Sequence, residues 1–231
     1  MIDALALYVV FVFAVTVHEA SHAWAAKLGG DLTAYHGGQV SIDPLPHMRR
    51  EPFGMVVLPL ISLSISGWPF GFASAPFDPA WAERHPRRAA WMALAGPGAN
   101  LMMVLLAALL IHVGIAMGSL EPPGSVFFTQ VTAATGGGEG LAFALAYLLS
   151  LFFSMNLLLF LLNMIPLPPL DGSGALPLLL PDAWGDAYRQ LVNQPMLAWI
   201  GILIAWQIFG EIFSRCFFVA IGLLYPDVRY G

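Results

Sequence analysis

The chain of 231 residues has one cysteine, Cys216, and only 10% of its residues are charged. A single thiol excludes an intramolecular disulfide and any cysteine-built metal site, so a metal ion would fall to His, Asp or Glu. The scarcity of charge excludes more. Soluble domains carry about 25% Asp, Glu, Lys and Arg, whereas 58% of this chain is hydrophobic, the composition of an integral membrane protein. There is no basic tract for nucleic acid to bind, and the net charge of −5 comes from few groups. No Lys or Arg precedes the first apolar stretch, and that stretch contains His18 and Glu19, so no cleaved signal peptide is expected. The segment 114–140 also lacks Lys and Arg altogether.

What the chain has instead is long apolar runs. A crossing needs about 20 apolar residues, and four stretches qualify, roughly 4–26, 89–113, 141–164 and 196–224. A fifth, 53–67, is shorter and interrupted by Pro59, which suits a segment that enters the membrane and returns. A full span there is the competing reading. The last stretch is either one tilted helix or a helix broken near Gly210. Its Glu211 and Arg215 are four apart and predicted to pair along one face, as a structural contact.

Lys and Arg mark the cytoplasmic side of a membrane protein. Lys27, Arg49 and Arg50 follow the first stretch, Arg84, Arg87 and Arg88 precede the second, and Arg189 follows the third. With 114–140 outside, the first and third helices run inward, and a multi-pass protein of the cell membrane is expected. Trp residues flanking the spans fit an interfacial belt. The expected fold is an all-α polytopic bundle of about four to six transmembrane helices, with a re-entrant segment and short β-strands near the active site.

Within the first apolar helix lies His18-Glu19-Ala20-Ser21-His22, an H-E-x-x-H pattern. Residues four apart share a helix face, so His18 and His22 can reach one metal ion with Glu19 beside it. Each ionisable group deep in a bilayer costs about 2.5–3.5 kcal/mol or more. A plain interhelical hydrogen-bonding role for the histidines would leave Glu19 without a reason. A catalytic zinc usually takes three protein ligands, and Asp171 is the best third candidate. It follows Asn163-Met164-Ile165-Pro166-Leu167-Pro168-Pro169-Leu170, where three prolines within four residues end the helix and are expected to unwind the chain into an extended stretch that carries Asp171 back against the first helix. The alternative is an Asp that merely caps a helix. By the predicted topology, His18 and His22, the Gly96-Pro97-Gly98-Ala99-Asn100 turn, and 163–172 all reach the same depth toward the cytoplasmic side. His36, His47 and His85 are expected at the surface, and His112 on the wrong side for this metal.

The pairing of His18-Glu19-Ala20-Ser21-His22 with the N-x-x-P-x-P-x-L-D-G string at 163–172 resembles the site-2 protease family of intramembrane zinc metalloproteases. The Gly96–Asn100 element is similar to one that family carries on its middle core helix, and the three motifs follow the family order over residues 18–172. Segments 36–48 and 67–73 look like the compact subgroup without PDZ or CBS domains. The resemblance implies one Zn2+ per chain held by His18, His22 and Asp171, with Glu19 as general base. It also implies that Asn163 lies near the metal and helps hold substrate or oxyanion; Asn100 is expected to contact substrate. Gly174 stands where many relatives have Arg, which affects local packing or substrate contacts and not the metal. The implied organisation is one integral-membrane peptidase domain over 1–231, with a catalytic core of about 4–172 and a C-terminal helical segment of about 195–225.

The implied partners are the lipid bilayer and a transmembrane protein or peptide, cleaved after local unwinding, and no nucleic acid. The segments 37–42 and 70–77 are strand-like candidates for pairing with that unwound chain, and the polar 27–52 loop is a route for water. Two rival readings remain. One is a zinc-binding membrane scaffold without proteolysis, which would not need Glu19. The other is a metal transporter, which would need a path of polar residues along 101–111 and 141–155, where the sequence offers almost none.

Overall fold

The computed structural model describes residues 2–137, 140–192 and 194–230. Residues 138 and 139 of the Lys- and Arg-free 114–140 segment lie outside the described residues. Four helices are long and apolar enough to cross a membrane: α1 (Ile2–Leu28), α6 (Pro86–Ala116), α7 (Leu141–Asn163) and α10 (Pro195–Leu224). Shorter helices lie between them: α2 (Thr33–His36), α3 (Pro44–Arg50), α4 (Leu58–Ser66, led by a π-helical turn over Phe53–Val57), α5 (Pro79–Arg84), α8 (Asp171–Ala175) and α9 (Asp182–Val192). The chain is a multi-pass, mainly helical membrane protein.

The core is built on α1, α6 and α7, with α6 packed along both of the others. One apolar cluster joins α6, α7 and the C-terminal half of α10 through Val104, Ile111, Phe153, Phe217 and Ile221. A second joins α1 to α7 and the α4 lead-in through Phe11, Val15, Met55, Leu151 and Met155. Outward faces keep their apolar residues exposed, as Met102, Leu105 and Leu109 do on α6, which suits lipid contact. The α1 helix ends at Leu28, and the Gly29 carbonyl that follows accepts hydrogen bonds from Trp81 Nε1 (3.0 Å) and Arg88 Nη1 (3.1 Å). Basic and aromatic donors from α5 and α6 thereby satisfy a carbonyl just past the α1 terminus. Trp81 is buried in this way and is not a belt residue.

The fifth apolar stretch is a short helix after which the chain turns back on itself. The helical run Phe53–Ser66 is about 21 Å long at 1.5 Å per residue, too short to cross. Gly67 then takes a left-handed conformation (φ 72°) and the chain turns back. The return is direct: the Phe72 N–H donates to the Gly54 carbonyl at 3.1 Å. A Cβ on Gly54 would collide with the Phe72 carbonyl, so glycine permits this closeness.

Four expectations need correction, and one alternative left open is settled. The stretch ahead of Asp171, expected to be extended, is turns and bends over residues 164–169, because the Leu167 and Leu170 N–H groups close back onto the Ile165 and Leu167 carbonyls. The only paired strands among the described residues are β1 (Leu120–Glu121) and β2 (Ala133–Ala134), antiparallel, in the connection between α6 and α7 and not beside the His pair. Segments 37–42 and 70–77 form no strand. Gly96–Asn100 is not a turn, because α6 continues as helix through Pro97. The last stretch is a single helix with no break at Gly210. Packing on both flanks carries α6 past its proline, since only one ladder hydrogen bond is lost there.

Candidate metal centre

On α1, His18 and His22 face the same way, as i and i+4 must. Their Nε2 atoms are 2.9 Å apart. Asp171 starts α8, after the irregular stretch that follows α7, and brings its Oδ2 to 3.0 Å from His18 Nε2 and 3.3 Å from His22 Nε2. Both histidines are buried and Asp171 is partly buried. Residues 153 positions apart in the chain thus meet at one point.

The hydrogen bonds behind the rings decide what can occupy that point. His22 Nδ1 faces the Met92 carbonyl at 2.7 Å; a carbonyl only accepts, so Nδ1 carries the proton. His18 Nδ1 lies 2.6 Å from Asn100 Oδ1. That amide is itself oriented, because Asn100 Nδ2 donates to Asn156 Oδ1 (2.9 Å) and to the Ala14 carbonyl (3.4 Å). Asn156 Nδ2 in turn donates to the Phe152 carbonyl at 2.8 Å. A neutral imidazole protonated on Nδ1 has a bare lone pair on Nε2. Two such lone pairs and a carboxylate oxygen therefore converge with no donor among them. Acceptors at this spacing require a cation.

Zinc fits the donor set. Two imidazole nitrogens and a carboxylate oxygen are zinc ligands, and tetrahedral ligands with bonds of about 2.0–2.1 Å sit about 3.3 Å apart. The three separations here, 2.9 to 3.3 Å, are close to that. Ligating histidines usually donate their other N–H to a carbonyl or similar acceptor, which fixes the ring, as both do here. Gly96 completes the cradle: a Cβ there would run into Nε2 of both histidines.

Glu19 is buried on the same helix, and its carboxylate is not one of the three converging atoms. Asn163 is partly buried at the end of α7 and donates its amide to the Leu159 carbonyl at 3.1 Å. Asn100 is fully buried, with both polar atoms taken by His18, Asn156 and Ala14. His36 and His112 are exposed and His85 partly so. His47, expected at the surface, is buried and donates Nε2 to the Ser41 carbonyl at 2.9 Å, which folds the 41–47 loop onto itself.

Sequence reasoning missed Asn156 and the Met92 carbonyl. The first did leave a signal, since a buried Asn inside a 23-residue apolar helix is costly unless it is hydrogen-bonded. The second left none, because every residue has a carbonyl.

The chain matches the family model described as Peptidase family M50 over residues 6–206. It is 29% identical over 166 residues to "Putative zinc metalloprotease YwhC" of Bacillus subtilis, covering 72% of this chain and 65% of that protein. It is 27% identical over 203 residues to "Putative zinc metalloprotease Rip2" of Mycolicibacterium smegmatis, covering 87% of this chain and 66% of that one. The chain therefore spans about two thirds of the length of these curated relatives. No solved structure matches it. With a family match running from α1 into α10 and taking in every residue of the His-His-Asp cluster, the chain belongs to peptidase family M50, the site-2 protease family.

Proposed function

We propose that this chain is an intramembrane zinc metalloprotease that hydrolyses a peptide bond of a membrane-embedded protein. The observation that carries this reading is the convergence of His18 Nε2, His22 Nε2 and Asp171 Oδ2, three acceptors with no proton to share, beside a buried Glu19. In this reading His18, His22 and Asp171 hold one zinc ion, and the site lies toward the cytoplasmic side of the bilayer. Bound there, zinc would supply Lewis acidity, lowering the pKa of water toward about 7 and polarising the scissile carbonyl.

The protein's own groups do the rest. The Glu19 carboxylate takes a proton from the attacking water and returns it to the departing amine. Asn163 holds the carbonyl oxygen of the substrate after turning its amide away from Leu159. Asn100 takes a different role from the expected substrate contact: with its amide fully engaged, it positions His18. A transmembrane substrate must unwind locally to expose its carbonyls. The extended 72–77 stretch, tied down by Arg50 Nε to the Ser74 carbonyl and Ser74 Oγ to Glu51, supports the idea of a surface for the unwound chain. The whole of 1–231 acts as one peptidase domain in this proposal.

The decisive experiment is Glu19→Gln in purified protein, in liposomes, with a single-pass model substrate. Zinc is expected to stay bound while cleavage is lost. Undiminished cleavage by that variant overturns the mechanism, and a zinc-binding scaffold is indicated if the wild-type protein holds zinc and cleaves nothing.

A further inference from the structure

Three of the nine Lys and Arg residues of the chain line a single cavity, away from the His-His-Asp cluster. Arg87 and Arg88 come from the first turn of α6, and Arg189 comes from α9. His85 lies beside them in the wall, which also includes Pro177 and Gly185. The cavity volume, about 390 Å³, falls within the roughly 300–1,000 Å³ of small-ligand clefts. Arg87 and Arg88 are exposed, so the cavity is reached from outside the chain. Arg88 is held by its bond to the Gly29 carbonyl. α9 lies close on the turn at Leu176–Leu179, since a Cβ on Gly185 would stand 3.7 Å from Pro177 and 3.5 Å from Arg189 Nη1. Arg87 and Arg189 are also engaged within the chain. A guanidinium has several N–H donors, so one such bond leaves others over. Counted even against both acids of α9, Asp182 and Asp186, the three guanidiniums leave a positive charge.

The level of this cavity in the membrane decides its ligand. α9 lies in the connection between α7 and α10, two helices long and apolar enough to cross. It exposes Trp184 (72%) and Leu191 (51%), which are two turns apart and so share a face. Arg189 is about 140° round the helix from Trp184. A helix with Trp and Leu on one side and a basic residue on another lies in the plane of the membrane interface, with its Trp among the headgroups. The cavity is then level with the lipid phosphates. We propose that it binds the phosphate of an anionic glycerophospholipid, gripped by Arg87, Arg88 and Arg189. Guanidinium forks match phosphate oxygens with paired N–H donors, and basic pockets between spanning helices suit such headgroups. A zwitterionic headgroup brings its own cation, which the arginines repel. The inference does not depend on the proteolytic reading, because no residue of the wall belongs to the His18, His22 and Asp171 set.

The test measures lipid held by the full chain in detergent, by native mass spectrometry, with phosphatidylglycerol or phosphatidylcholine added. Wild type is expected to hold phosphatidylglycerol in preference. R87Q/R189Q should bind it roughly 30-fold more weakly, at about fivefold for each charge lost. R87K/R189K keeps both charges and should recover most of the affinity. R49Q/R84Q removes the same charge from outside the cavity and is expected to bind as wild type does. Equal retention of the two lipids by wild type overturns the proposal, as does an equal loss in R49Q/R84Q. The wild-type comparison and the lysine pair decide the matter should the glutamine pair not fold. Inorganic phosphate separates the sources: if it displaces the bound lipid as well as short-chain phosphatidylglycerol does, the site is one for soluble phosphate and the lipid assignment is wrong.

Discussion

Two places in this chain put ionisable groups inside apolar helices, and they are handled in opposite ways. The cluster of His18, His22 and Asp171 is enclosed by three helices, with each ring nitrogen facing an assigned partner. The Glu211–Arg215 pair lies on the outside of a single helix and is satisfied only by itself. Burying charge is costly in both places. At the cluster, a network of buried amides and carbonyls orients the groups for a cation. At α10, no such network exists among the described residues, and the pair's compensation is the ion pair itself. Enclosed polar atoms surrounded by fixed partners mark a site; an exposed pair that bonds along its own helix does not.

The comparison is broken most severely at Asp171. Asp171→Ala removes the one anionic group of the converging set, and zinc affinity is expected to fall more than about 100-fold, read by metal content after dialysis against a weak chelator. Unchanged metal content would remove Asp171 from the site. Gly96→Ala comes next. Its methyl group would press on both imidazoles, so a destabilisation of about 1–3 kcal/mol is expected, together with weaker zinc retention; thermal unfolding and metal analysis check this. A variant as stable and as metal-loaded as wild type would show that the α1–α6 approach is looser than 96 suggests.

A milder change sharpens the cluster side. Asn156→Leu cuts the chain of amides that ends on His18 without touching any converging atom. About a tenfold loss of zinc affinity is expected, and the cobalt-substituted protein should show an altered ligand-field spectrum because the His18 ring is no longer held. An unshifted spectrum and unchanged affinity would make Asn156 a packing residue only. The smallest effect on the metal belongs to the other side of the comparison. Glu211→Leu with Arg215→Leu should leave zinc content unchanged and shift stability by no more than about 1 kcal/mol, measured by metal analysis and thermal unfolding. A change in zinc content would show that the two regions are coupled.

Much of the site was legible because its signals are local. The spacing of His18 and His22 sets them on one face whatever else the chain does, and the prolines at 166, 168 and 169 had to end α7 ahead of Asp171. The short length of 53–67 and its Pro59 foretold a segment that does not run on as a full span, and the Phe72–Gly54 hydrogen bond shows the chain turning back there. The hydrogen-bond partners of Asn100 were not legible, because a polar residue on a core helix reads equally well as a substrate contact or as an internal support. Only the partner 56 residues away decides, and that partner is Asn156. The Gly96–Asn100 segment looked like a turn because Gly and Pro break isolated helices, a preference that packing between α1 and α7 overrides. The misplaced strands failed for a related reason: 37–42 is spent on turns and bends, with Gly38 at φ 74°, and beside 70–77 no neighbouring segment supplies the other half of a ladder.

The sequence by itself determined that the chain lives in a bilayer, which helix carries the histidine pair, and which carboxylate follows the break after α7. Those are matters of composition and of spacing along one helix, and they need no knowledge of neighbours. Only the tertiary structure decided which nitrogen of each imidazole holds its proton, that Gly96 must be small, and that Glu211 and Arg215 look outward. Each of these depends on atoms brought from other helices, or on the lack of any. Hydrogen bonds across the bundle orient a ring, and hydropathy along the chain cannot.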